Sequence, residues 1–211
     1  MAVERASDVA YAKLLEMILD LRIAPGAFVN ETALAAELNL GRVPVREALA
    51  RLVSDHLVTV LPRRGTVVTG LDLDDVLNMF AAREAIECGV AYIAATRATD
   101  EDLVQLRRLV ERVDEDRAGA DYERFLRDDH DVHMFLIDMV RNPLLKDAAD
   151  RLLLHSMRFW RLYWKQRPLT PDAMLSHGDL LEALESRDPA RSETAMRNHL
   201  QESRQLVQLL F

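Results

Sequence analysis

The sequence predicts a mainly α-helical chain in two parts: a small N-terminal head of three helices and a β-hairpin, then an antiparallel all-helical bundle. Apolar residues recur at helical spacing through most of the chain. Strand-like texture is confined to one stretch, LVTVLPRRGTVVTG, and vanishes from Asp72 onward. The boundary therefore falls near Gly70, with the head over 1–70 and the bundle over 71–211.

Within the head, residues 7–22 place Val9, Ala12, Leu15, Met17, Ile18 and Leu19 near helical spacing, with Ser7 as N-cap. Pro25-Gly26 breaks this helix. Asn30 can cap a second, ETALAAEL, and Asn39-Leu40-Gly41 turns tightly into a third, VPVREALARLVSDH. Pro44 suits the first turn of that helix, where a missing N–H costs nothing. Two helices joined by a short glycine-bearing turn form a helix-turn-helix, and the hairpin around Pro-Arg-Arg-Gly then reads as its wing. In the second part, helices are predicted over 73–97, 100–117, 121–140, 143–166, 172–186 and 189–210. The breaks between them fall at Ala118-Gly119, Asn142-Pro143, 168–171 and Asp188-Pro189.

Composition narrows the function classes. With 211 residues and 49% apolar content the chain can bury packed cores, which excludes disorder. The single cysteine, Cys88, excludes an internal disulfide framework and fits a reducing compartment. No signal-peptide core opens the sequence, and apolar runs such as Leu152 to Leu154 fall far short of the roughly 20 residues of a membrane span. A soluble, cytoplasmic protein is expected, with no membrane partner. A net charge of -8 argues against nucleic acid as a partner, but the distribution of that charge points the other way. Residues 1–70 hold eight basic and eight acidic side chains, so the whole deficit lies in the second part. Between Leu40 and Gly70, five arginines face only Glu47 and Asp55.

Those arginines form a pattern. Arg42 and Arg46 lie four apart on one face at the start of the third helix, where a recognition helix meets base edges. Val45, Leu49 and Leu52 take the opposite, buried face. Arg63, Arg64 and Gly65 sit at the wing tip, where glycine lets backbone approach a groove or its phosphates. Any one exposed arginine is more often simply solvated; the coincidence of motif, wing and charge carries the reading. From Pro25 to Gly65 the chain resembles the GntR family of bacterial regulators, through PGAFVNETALAAELNLGRVPVREALARL and PRRG. The resemblance implies contacts to double-stranded operator DNA from Thr32, Arg42, Val43, Pro44, Arg46, Arg64 and Gly65. Two departures stand out. Gly41 replaces the usual hydroxyl residue, removing a helix cap or phosphate contact, and His56 replaces the glycine before Leu57, which is expected to shift the turn into the wing.

A second constellation lies in the bundle. Asp129 and His133 are four apart on one helical face, and His177 and His199 follow on later helices, each on an apolar stripe. A buried histidine needs partners for its ring nitrogens, and a divalent cation supplies one, although a lone histidine on such a face is more often a satisfied core residue. Three imidazoles and a carboxylate suit zinc, nickel, manganese or iron. Asp128 and His130 offer a shifted pairing, but they point about 100° away from that stripe. From Asp72 to Phe211 the chain resembles the FCD ligand-binding domain of the FadR subfamily, through FAAREAIECGVAYIAA, DDHDVHMFLIDMVRNPLL and HGDLLEALESRDPARSETAMRNHL. The ligands of its metal-binding members fall on Asp129, His133, His177 and His199, with zinc the first expectation.

The same resemblance places Arg83 where the effector is met, with an ion pair to Glu87 one turn on as the plain alternative. Arg158 shares a helix with His155, Trp160, Arg161, Tyr163 and Trp164, part of whose face is expected to line the cavity, so it is a second candidate contact. The resemblance implies a homodimer that is not an enzyme, in which a small carboxylate effector bound at the metal alters operator affinity. Two alternatives remain open on the residues alone: a metal-free sensor for an organic or acyl ligand, and a metal-dependent hydrolase or lyase.

Overall fold

The computed structural model describes residues 5–166 and 174–208. The chain divides into two compact units, Met1–Asp72 and Leu73–Phe211.

The first unit contains α1 (Ala6–Leu19), β1 (Phe28–Val29), α2 (Glu31–Leu38), α3 (Arg42–Ser54), β2 (Val58–Leu61) and β3 (Gly65–Val68). α1 stops short of residue 22 because Leu21 adopts a left-handed φ of 60°. Asn30 caps α2 as expected: its side-chain oxygen accepts from the Thr32 and Ala33 amides at 3.0 Å. Asn39, left-handed at φ 53°, ends α2 and turns the chain into α3, whose N-cap Gly41 supplies no side-chain bond. α1 packs on α3, and Leu14 and Ile18 of α1, Val45, Ala48, Leu49 and Leu52 of α3, and Leu57, Val58 and Val68 are all buried. The three strands run antiparallel in the order β1-β3-β2. β1 is not legible in the sequence, because two residues carry no periodicity and its partner β3 lies far along the chain.

His56 does not displace the turn into the wing. It adopts φ 58°, and the amides of His56 and Leu57 donate to the carbonyls of Val53 and Leu52 at 3.0 Å. This is the Schellman closure that glycine usually makes, so histidine holds the glycine conformation at a steric cost.

The second unit contains α4 (Leu73–Arg97), α5 (Asp100–Gly119), α6 (Tyr122–Val140), α7 (Pro143–Gln166), α8 (Gly178–Glu185) and α9 (Pro189–Gln208). A reciprocal capping box between Thr99 and Asp102 starts α5, and the Asn142 side chain accepts from the Leu144 amide at the start of α7. α5 continues through the expected break at Ala118-Gly119, because the left-handed residue is Ala120. The break at 168–171, the first residues of the helix expected over 172–186 and the last two of that over 189–210 lie outside the described residues. Within the described segment the helix begins only at Gly178, whose amide is held by the Ser176 hydroxyl at 3.1 Å. α4 packs against α6, α7 and α9, and α5 against α6 and α8. Their shared core includes Ala91, Ala94, Leu106, Val113, Val132, Leu136, Leu184, Met196 and Leu200.

Substituting His56→Gly is expected to stabilise the head by about 1 kcal/mol, since a side chain in the left-handed region costs about that much. Unfolding by denaturant measures it, and an unchanged midpoint would show the turn unstrained.

Candidate metal centre and nucleic-acid interface

α6 brings Asp129 and His133 to one face, the segment before α8 supplies His177 at the N-cap position, and α9 supplies His199. One ligand atom from each of the four lies within 4.8 Å of all the others. Nε2 of His177 stands 3.3 Å from Nε2 of His133 and 3.5 Å from the Asp129 carboxylate. The rings of His177 and His199 lie 4.2 Å apart. Arg117 of α5 donates to the Met174 carbonyl and so ties down the segment that carries His177.

Burial sets the charge state of this cluster. It pushes the His177 imidazole well below its usual range, with His199 and His133 adding repulsion, and takes His199 down to about 3. The same burial raises the Asp129 carboxyl. The two imidazoles are thus neutral near pH 7, and each keeps its Nδ1 buried without a hydrogen-bond partner. Converging neutral imidazoles beside a carboxylate are the donor set a divalent cation such as zinc takes, and the residues present fit one.

A charged network adjoins the cluster. Arg83 and Glu87 of α4 are both buried and joined at 2.6 Å, and Arg83 also donates to the Ser156 hydroxyl at 2.8 Å. Glu87 reaches His133 Nδ1 at 2.5 Å. Burial alone would push the Glu87 carboxyl up, but Arg83 and His133 outweigh it and hold the group well below the usual carboxylate range. Arg83, Asp129, His133 and His199 line one cavity together with Trp160 and Trp164. Its free space is about 20 Å³, enough for an ion or a water but not for an organic molecule. A wider depression of about 620 Å³ between α8 and α9 also reaches His199. Asp179 and Glu202 line it, and its Arg191 is engaged by Glu182, so it is ill suited to an anion.

Arg158 is fully buried on α7 and is not among the residues lining the cavity; burial lowers its guanidinium to about 10, while Asp75 acts the other way. His130 stands outside the four-residue cluster, and Asp128 pairs with Arg112 at 3.4 Å. Sequence reasoning names Glu87 only as a partner of Arg83 and does not find Ser156 or the Glu87–His133 contact. The signal is present in part: Phe80, Arg83, Glu87, Val90, Ala91 and Ala94 follow helical spacing, which puts two charges on the apolar stripe of α4.

In the first unit, Thr32, Arg42, Val43, Arg46, Arg64 and Gly65 are exposed and Pro44 is half-buried. Val43 is 65% exposed at the start of α3. Arg46 donates through Nε and Nη2 to Glu31 at 3.1 Å, an exposed pair worth at most about 1 kcal/mol. The wing turn closes with the Arg64 amide on the Leu61 carbonyl, with Arg63 at φ 63° and Gly65 at φ 108°. Arg63 thus shares the positive-φ geometry that the sequence assigns to Gly65 alone.

Residues 6–68 match the bacterial regulatory proteins of the gntR family, and residues 78–202 match the FCD domain. The chain belongs to the GntR family. This GntR-family chain is 32% identical to the HTH-type transcriptional repressor RspR of Escherichia coli, over 91% of its own length and 84% of that protein. It is 29% identical to the transcriptional repressor NanR of Cronobacter sakazakii, over 95% and 84%. Its fold is that of E. coli McbR/YncC, with TM-score 0.81, 20% identity and coverage of 99% and 98%. Lar of Listeria monocytogenes also shares it, with TM-score 0.62, 19% identity and full coverage of both chains. The chain is accordingly a transcriptional regulator with a helix-turn-helix domain and an FCD effector-binding domain; the family and its relatives are regulators and not enzymes, which removes the hydrolase or lyase alternative. Among the described residues, no helix is long and apolar enough to cross a membrane.

Acidification should destabilise the metal-free protein. An unfolded chain protonates His177 and His199 near pH 6.5, whereas the fold keeps His199 neutral down to about 3. The unfolded state then binds more protons in that window, so stability falls as pH drops through it. A flat unfolding midpoint between pH 7 and pH 4 would contradict the burial of these rings.

Proposed function

We propose that this chain is a homodimeric, cytoplasmic regulator of the FadR subfamily whose affinity for operator DNA is set by a small organic acid held at a divalent metal ion. The observation that carries this reading is the gathering of Asp129, His133, His177 and His199 within 4.8 Å, three of them buried. In this reading residues 1–70 are the DNA-binding domain and 71–211 the effector-binding and dimerisation domain.

The ligands are Asp129, His133, His177 and His199, and zinc suits them best, with nickel, manganese or iron also compatible. Such an ion supplies open positions that a carboxylate oxygen can take in place of water. Arg83, on the wall of the same cavity, supplies the guanidinium for the acid, and Arg158, outside the present lining, is reached only once the cavity opens. The cavity is too small for an organic acid as it stands, so capture requires Arg83 to leave Glu87 for the incoming carboxylate and the lining to open. A ligand that binds only the opened arrangement shifts the population toward it, and this is the energetic link to DNA affinity.

On the DNA side, Arg42 and Arg46 meet base edges in the major groove, with Thr32, Val43 and Pro44 around them, and Arg64 and Gly65 meet the backbone from the wing. The exposed pair of Arg46 with Glu31 is weak and readily surrendered.

Elemental analysis of gently purified protein is expected to find about one metal ion per chain, lost in the His177→Ala, His199→Ala double variant. Protein that carries no metal and takes up none from solution would end the metal reading. Independently, Arg46→Ala is expected to cost about 1–3 kcal/mol at a cognate operator, read by fluorescence anisotropy. Unchanged affinity would remove Arg46 from the interface.

A further inference from the structure

Glu87 sits where the ion pair of α4 meets the histidine cluster. Oε1 accepts from Arg83 Nε at 2.6 Å, while Oε2 lies 2.5 Å from His133 Nδ1 and takes only a long 3.4 Å bond from Arg83 Nη2. Glu87, Arg83 and His133 are each at most 3% exposed, so water offers none of them a substitute partner.

We propose that Glu87 is a positioning residue for the metal centre, holding His133 in the tautomer protonated on Nδ1 so that Nε2 is left as a bare lone pair facing His177. The inference rests on the metal reading above and names a residue outside its ligand set.

The donor and acceptor roles impose this. An ionised carboxylate only accepts, so the nitrogen against Glu87 must be the donor. Arg83 Nη2 lies about equally near both ring nitrogens, 3.3 Å from Nε2 and 3.5 Å from Nδ1, so it leaves the choice of tautomer to the carboxylate. Glu87, which meets Nδ1, is thus the neighbour that selects the tautomer. The selected lone pair is on the atom 3.3 Å from His177 Nε2, inside the four-residue cluster. A carboxylate behind a ligand histidine fixes the ring's orientation and makes its free nitrogen a better donor to metal.

The test uses the full chain, stripped with a chelator and titrated with zinc in competition with a chromophoric chelator. Long-range proton–nitrogen NMR of the zinc-free protein above pH 7 reads the histidine tautomers, with His133 assigned by its absence from a His133→Ala spectrum. In the wild type, His133 is expected as the Nδ1–H form. In Glu87→Gln, zinc should bind about 10–100-fold more weakly and the ring should populate both tautomers. The proposal is overturned if Glu87→Gln binds zinc as the wild type does, or if wild-type His133 carries its proton on Nε2. The latter measurement stands even if the Gln variant does not fold. Should the wild type itself take up no zinc, the metal reading falls, and this inference falls with it; that outcome differs from a wild type and a Gln variant that bind zinc equally.

Discussion

Neutral imidazoles packed against one another in an apolar interior are the constraint from which the sensor unit is understood. Two helices and the segment before α8 converge to place His133, His177 and His199 beside Asp129, where burial denies His177 and His199 the protons that would make them charged. Lone pairs gathered in that way repel unless something shares them. Folding the chain to this arrangement is costly in polar desolvation, and in the proposed reading a cation in the middle would convert that cost into binding energy. The surrounding structure follows from the same need: Arg117 tethers the segment before His177, and Glu87 backs His133.

The second buried feature, Arg83 with Glu87, limits what the sensor can do. Two opposite charges almost without solvent are held by each other, by Ser156 and by the His133 ring. Breaking such a pair without a replacement is strongly destabilising, so Arg83 is released only to a partner of the same charge as Glu87. In the proposed reading that would select anions with a carboxylate-like face. The small free volume makes the selection steep, because an effector must supply the new bond before the cavity can widen.

Much of this is legible in the residues. Asn142-Pro143 and Asp188-Pro189 mark helix starts through backbone chemistry that does not depend on tertiary context, and the helix expected over 73–97 matches α4. The spacing of Asp129 and His133 fixes their common face, but no local rule brings α8 and α9 to meet them; only the family resemblance implies it. What stays hidden is nonlocal. β1 exists only because β3 pairs with it, and the Glu87–His133 contact spans two helices. His56 departs from expectation for a different reason. The closure of α3 by hydrogen bonds to Leu52 and Val53 is strong enough to hold a histidine in a glycine's conformation, so local preference yields to the turn.

The head and the acidic bundle divide the electrostatics between them. The head's arginines at 42, 63 and 64 are exposed against few carboxylates, so its approach to a phosphate surface is favoured although the chain as a whole is negative. The claim on which the regulatory account turns is the identity of the buried cluster, and X-ray absorption at the metal edge of the purified protein tests it most directly. The account predicts a shell of nitrogen and oxygen at about 2.0–2.2 Å with the outer-shell scattering of several imidazoles. A sulfur-bearing shell, or an edge with no imidazole scattering, would contradict it.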